Sequence, residues 1–98
     1  MKNEHDKYVD AAMEQFDNII NLYKELEYKN PIMLYDIQEQ KIYAYPYIEF
    51  KAELSERSQI MLEKQYKDAL TDNKVVIFVK DNVKKKLVSF SVGFEENH

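Results

Sequence analysis

Val9, Ala12, Phe16, Ile19, Tyr23 and Leu26 follow one another at alternating steps of three and four residues. That spacing puts all six on one stripe of an α-helix, because side chains three and four positions apart lie above one another on the same face. A stripe this regular has to be buried, against the rest of a small domain or against a second chain. It therefore fixes the first layer of whatever the chain folds into. Met13, Ile20 and Leu22 make it wider than a two-stranded coiled-coil seam, so it is expected to touch more than one surface.

The helical pattern runs from about residue 3 to residue 28 and is stopped by Pro31, which disfavours helical backbone in the residue before it. A helix of roughly 25 residues is about 38 Å long, whereas a compact domain of this size has a radius of gyration of about 13 Å. The expectation is a helix as long as its domain, with part of its length left over. The 98 residues suffice for one domain, spanning 1–98, and not for two.

Beyond Pro31 the period changes from that of a helix to that of strands. Residues 32–37 read as a strand, Gln38, Glu39 and Gln40 as a turn, and a second strand follows to about residue 48, giving a hairpin over about 32–48. Pro46 lacks the N–H that an interior strand donates, which places this second strand at an edge. Ser55 is suited to cap a helix over about 55–71, with Glu56 in the first turn and Leu62, Tyr66, Ala69 and Leu70 on one face. Asp72 and Asn73 end it, Asn being tolerant of left-handed backbone.

Residues 75–79 form an unbroken β-branched and aromatic run, the signature of a central strand buried on both faces. Asp81 and Asn82 begin a turn, after which Val88, Phe90, Val92 and Phe94 alternate with Ser89, Ser91 and Gly93. These make a second hairpin over about 75–94, followed by a polar tail at 95–98. The predicted fold is α+β in the order α-β-β-α-β-β, with a four-stranded, mainly antiparallel sheet and two helices packed on it. The two αββ halves share pattern rather than residues.

Several function classes are excluded by composition. The single glycine, Gly93, leaves no glycine-rich phosphate loop, and the absence of cysteine removes disulfides, thiolate nucleophiles and cysteine zinc sites. No apolar stretch is long enough to span a bilayer, and residues 1–7 have neither the apolar core nor the cleavage site of a signal peptide. The expected location is the cytoplasm, with no membrane partner.

Acid–base catalysis near neutral pH uses histidine or a carboxylate pair with separated pKa values. Here His5 and His98 are terminal, and Ser55, Ser58, Ser89 and Ser91 have no histidine beside them. No enzyme activity, no catalytic residue, no cofactor and no metal are expected. Asp6, Asp10, Glu14 and Asp17 line one side of the first helix and are read as a solvated face in preference to a cation site.

Two further patterns bear on partners. Tyr43, Tyr45 and Tyr47 alternate along one strand, in outline like a stacking platform for single-stranded nucleic acid, and Lys84, Lys85 and Lys86 form a cationic hairpin tip. Against nucleic acid stand a net charge of −4 and a single arginine, Arg57. The tyrosines are better explained as packing under a helix, and the lysines as protection against edge pairing.

The reading favoured by the sequence is a non-enzymatic protein–protein interaction module that self-associates as a homodimer through Val9, Ala12, Phe16, Ile19, Tyr23 and Leu26. Two features motivate it: the overlong helix, and the need of Val76 and Phe78 for cover on the second face of the central strand. The alternative is a nucleic-acid-binding regulator using Tyr43, Tyr45 and Tyr47 with Lys84, Lys85 and Lys86.

Overall fold

The computed structural model describes residues 3–93. In chain order they form α1 (Glu4–Met13), α2 (Phe16–Glu25), β1 (Ile32–Asp36), β2 (Lys41–Tyr45), α3 (Tyr47–Ala52), α4 (Glu56–Thr71), β3 (Lys74–Asp81) and β4 (Lys86–Gly93). The strands make one sheet in the order β2-β1-β3-β4. β1 and β2 are antiparallel, as are β3 and β4, but the central pair β1 and β3 is parallel.

The α+β class and the four strands agree with the sequence reading, and three of its details are corrected. The sheet is mixed, not mainly antiparallel, because α3 and α4 carry the chain from the end of β2 back across a face of the sheet, so that β3 starts at the same end as β1. The described residues contain four helices instead of two. The second strand stops at Tyr45: Pro46, with its φ of −60°, caps α3, and residues 47–52 are helical. Phe94 and the tail at 95–98 lie outside the described residues.

The long first helix is also two helices. The N–H of Gln15 bonds the carbonyl of Ala12 at 2.9 Å, a tightened turn, and Gln15 leaves helical backbone with φ −105° and ψ 12°. The amide of Asn18 donates to Gln15 Oε1 at 3.0 Å and holds the new start. No Pro or Gly marks this break, so the stripe reads as continuous across it. Its consequence is geometric. A straight helix of about 38 Å would overhang four strands spaced about 4.8 Å apart, whereas two short ones fold the same stripe onto them.

Each strand face has its own helical layer. Met33 and Tyr35 from β1 and Val75, Ile77 and Val79 from β3 point towards α1 and α2, where Tyr8, Ala12, Ile19 and Ile20 cover them. The alternate residues Ile32, Leu34, Val76 and Phe78 point the other way, against Leu62 and Ala69 of α4 and Phe50 of α3. Val76 and Phe78 are thus covered within the chain. Burying each large apolar side chain contributes about 1.5–3 kcal/mol, and the central strands bury theirs on both faces.

The two halves, α1-α2-β1-β2 and α3-α4-β3-β4, are related by an approximate two-fold running parallel to the central strands. Parallel β1 and β3 at the centre, and helices of each half on opposite faces, are what such an axis requires. One constant spacing takes Ile32 to Ile77, Asp36 to Asp81, Gln40 to Lys85 and Lys41 to Lys86. Gln40 and Lys85 both adopt left-handed backbone, with φ of 55° and 56°, and Asn30 and Asn73, just before the two hairpins, do likewise at 53° and 58°. The axis exchanges faces: Ile32 and Leu34 lie towards α4, and their counterparts Ile77 and Val79 towards α1 and α2.

Candidate interaction surfaces

The helix stripe is largely used up inside the chain. Ala12 and Ile19 are fully buried, while Phe16, Tyr23 and Leu26 are partly buried against the same core, and Val9 is half-buried. Met13 is on the surface, and Leu26 lies one residue beyond the end of α2. Tyr8, which the stripe omitted, is more buried than most of its members. Its place four residues before Ala12 was the signal for it.

The three tyrosines do not form one platform. Tyr43 and Tyr45 share a face of β2, ring centroids 6.3 Å apart, but Tyr47 has left the strand and stacks on Tyr66 of α4 at 4.1 Å. Tyr45 is further covered by Phe50 at 5.7 Å. The Tyr43 hydroxyl donates to Glu39 Oε1 at 2.8 Å, a bond to a carboxylate that raises the phenol's pKa. Tyr43 and Tyr45 lie on β2 at one edge of the sheet and Lys86 begins β4 at the other, so the structure does not bring these two groups together.

The lysine tip docks on the acidic start of α1 in its own chain. Lys86 Nζ pairs with Glu4, and Lys84 Nζ lies 3.4 Å from the same carboxylate, which these two cations hold below the usual carboxylate range. The row Asp6, Asp10, Glu14 and Asp17 is divided by the break after α1. Among the described residues no three His, Asp or Glu side chains converge as a metal site requires. No helix of the described residues is long and apolar enough to cross a membrane.

A polar knot at the carboxyl ends of β1 and β3 escaped the sequence reading. Asp81 and Asp36, both buried, end these strands and organise the two four-residue turns. Asp81 Oδ2 accepts from the Tyr8 hydroxyl at 2.8 Å, and Oδ1 from Gln38 Nε2 at 2.9 Å and from the backbone N–H groups of Val83 and Lys84 at 3.0 and 3.1 Å. Asp36 accepts from the Glu39 N–H and from Asn82 Nδ2, at 3.0 and 3.1 Å. The Tyr8 phenol, then these backbone donors and Gln38, keep the Asp81 carboxyl below its ordinary value, against the opposing effect of burial. The partner effect on Tyr8 is a pKa pushed up to about 12.

Two surfaces are left with unused capacity. The first is the outer edge of β4, an eight-residue strand hydrogen-bonded on one side only, to β3. The opposite edge, β2, has five residues and runs straight into Pro46 and α3. The second is a furrow on the α4 side of the sheet. Val88, Phe90 and Val92 pack towards α1 and α2, but the other face of β4 carries Leu87, Ser89 and Ser91, and the two short serine side chains leave a furrow between this strand and α4. The furrow has Leu62 and Phe78 at its base, with Met61 and Leu87, both well exposed, on its banks. It opens at Leu54 and Leu87 into a cleft of about 780 Å³ beside the β3–β4 turn. Comparison with protein-family models, with curated proteins and with solved structures finds no match for this chain.

Proposed function

We propose that the protein is a non-enzymatic protein–protein interaction module that pairs with a second copy of itself through the free edge of β4. The observation that carries this reading is the contrast between the two edges. From Leu87 to Gly93 the edge has no charged residue, no proline and no bulge, the features that otherwise discourage edge pairing. β2 is short and ends at a proline.

Charge favours an antiparallel second copy. Antiparallel self-pairing keeps the cationic Lys84, Lys85 and Lys86 of the two copies at opposite ends of the uncharged stretch, whereas a parallel pair would set them side by side. The same arrangement brings the two furrows onto one side of a continuous sheet. Because five of the six stripe residues, all but Val9, pack in the chain's own core, the contact is assigned to β4 instead of α1 and α2.

Sedimentation velocity at tens of micromolar, on the wild type and on Ser89→Lys, tests the reading. The half-buried Ser89 faces the furrow, where a lysine can reach water in a monomer but meets its own copy in the dimer. A wild-type dimer that becomes a folded monomer in S89K supports the reading. A monomeric wild type contradicts it.

A further inference from the structure

We infer that the cleft beside the β3–β4 turn is a binding site for a small amphipathic carboxylate, an apolar body carrying one anionic head. The internal two-fold shows why the cleft exists. On one face the ten-residue α1 crosses the ends of β3 and β4, and Tyr35 lies buried there in the core beneath α1 and α2. The counterpart of α1 on the other face is α3, with only six residues, and the counterpart of Tyr35 is Lys80, which is exposed. The shorter helix leaves uncovered what α1 seals.

What is uncovered suits such a ligand. Leu34, Tyr45, Phe50, Leu54 and Leu87 supply an apolar lining, and the cleft's volume of about 780 Å³ falls within the roughly 300–1,000 Å³ of small-molecule sites. It runs along the α3 side of the sheet from Leu34 and Tyr45 to the carboxyl end of β3 at Lys80 and Asp81. Lys80, Lys85 and Lys86 line the strand side with Asp81 and Asn82, the Asp81 carboxylate being taken up by the Tyr8 hydroxyl, Gln38 and the turn N–H groups. Lys86 is engaged by Glu4, but among the described residues neither Lys80 nor Lys85 has an ion-pair partner. Glu49 and Glu53 line the helix side, so an anion is directed to the lysines and its apolar body to the wall formed by Phe50 and Leu54.

The site does not depend on self-association, which is read separately by sedimentation. The test is calorimetric titration of the full chain with decanoate, decanol and acetate, together with the exposed double variant Lys80→Gln, Lys85→Gln. Glutamine already occupies the position equivalent to Lys85, at Gln40, with the same backbone conformation, so the fold is retained. The expected result is saturable binding of one decanoate per chain, at least about tenfold tighter than decanol or acetate, and weakened to the level of decanol in the double variant. Amide resonances of Lys80, Leu54 and Leu87 shift with it. Equal affinity for decanol and decanoate, an unchanged affinity in the double variant, or no saturation in the millimolar range overturns the proposal.

Discussion

Tyr8 donates its phenolic hydrogen to Asp81 Oδ2 at 2.8 Å, fastening the first helix to the last residue of the central strand across almost the whole length of the chain. The bond makes two opposite pH dependences. Folding raises the Tyr8 pKa from 10.0 to about 12, so above pH 10 the unfolded phenol ionises first and stability falls as pH rises towards 12. Folding lowers the Asp81 pKa from 3.8, so its contribution is complete above that value and is lost as pH falls through the lowered one. In Tyr8→Phe the alkaline loss between pH 10 and 12 is reduced and the midpoint of acid unfolding moves to higher pH, both followed by circular dichroism. An unchanged acid midpoint contradicts the role given to this bond.

The stripe residues act in the core. Ile19→Ala removes a fully buried side chain and is expected to cost about 2–5 kcal/mol in denaturant unfolding. Ile60→Ala, at a position 71% exposed on α4, is expected to stay within about 0.5 kcal/mol. Equal effects at the two sites would mean that α2 is not packed as described.

The hairpin turns hold left-handed backbone at residues with a Cβ, Gln40 and Lys85. That conformation costs about 1–2 kcal/mol for most residues, and glycine gives back about 0.5–1 kcal/mol of it through lost chain entropy in the unfolded state. Gln40→Gly and Lys85→Gly should therefore each stabilise the protein by about 0.5–1 kcal/mol in thermal or denaturant unfolding. The two changes should agree in sign, because the internal two-fold makes the positions equivalent.

Much of this architecture is written in local patterns, and those were legible. Ser55 caps α4 through a bond from the Ser58 N–H at 3.3 Å, Asn73 is left-handed after the helix ends, β2 lies at an edge, and β3 is central and buried on both faces. What could not be read is what depends on distant partners. The parallel pairing of β1 with β3 joins segments separated by a hairpin and two helices, and nothing in either strand encodes its neighbour. The break after Met13 carries no Gly or Pro, because the sheet beneath sets it, not the backbone's own preference. The polar knot depends on distant partners too: Asp36 reads as a strand residue and Asp81 as a turn residue, and nothing local shows that Tyr8 and Gln38 reach Asp81 or that Asn82 reaches Asp36.

The stacking of Tyr47 on Tyr66 offers a separate check on the α3 corner. With centroids 4.1 Å apart and planes 13° from parallel, the pair closes α3 onto α4, and Tyr66 also donates to the carbonyl of Asn30 at 2.7 Å. Tyr66→Phe keeps the ring contact and removes only that hydrogen bond, an expected loss of about 0.5–1.5 kcal/mol. Tyr66→Ala removes both and should cost more by about 0.5–1.5 kcal/mol for the ring pair alone. Equal losses in the two variants would show that the rings contribute nothing.

The assignment of β4 as the contact surface is tested most directly by sedimentation equilibrium on the wild type beside Ser89→Lys, with circular dichroism confirming that both are folded. The edge-pairing account predicts a concentration-dependent dimer for the wild type and a folded monomer for S89K. A wild type that stays monomeric at tens of micromolar, or an S89K variant that dimerises as readily as the wild type, would contradict it.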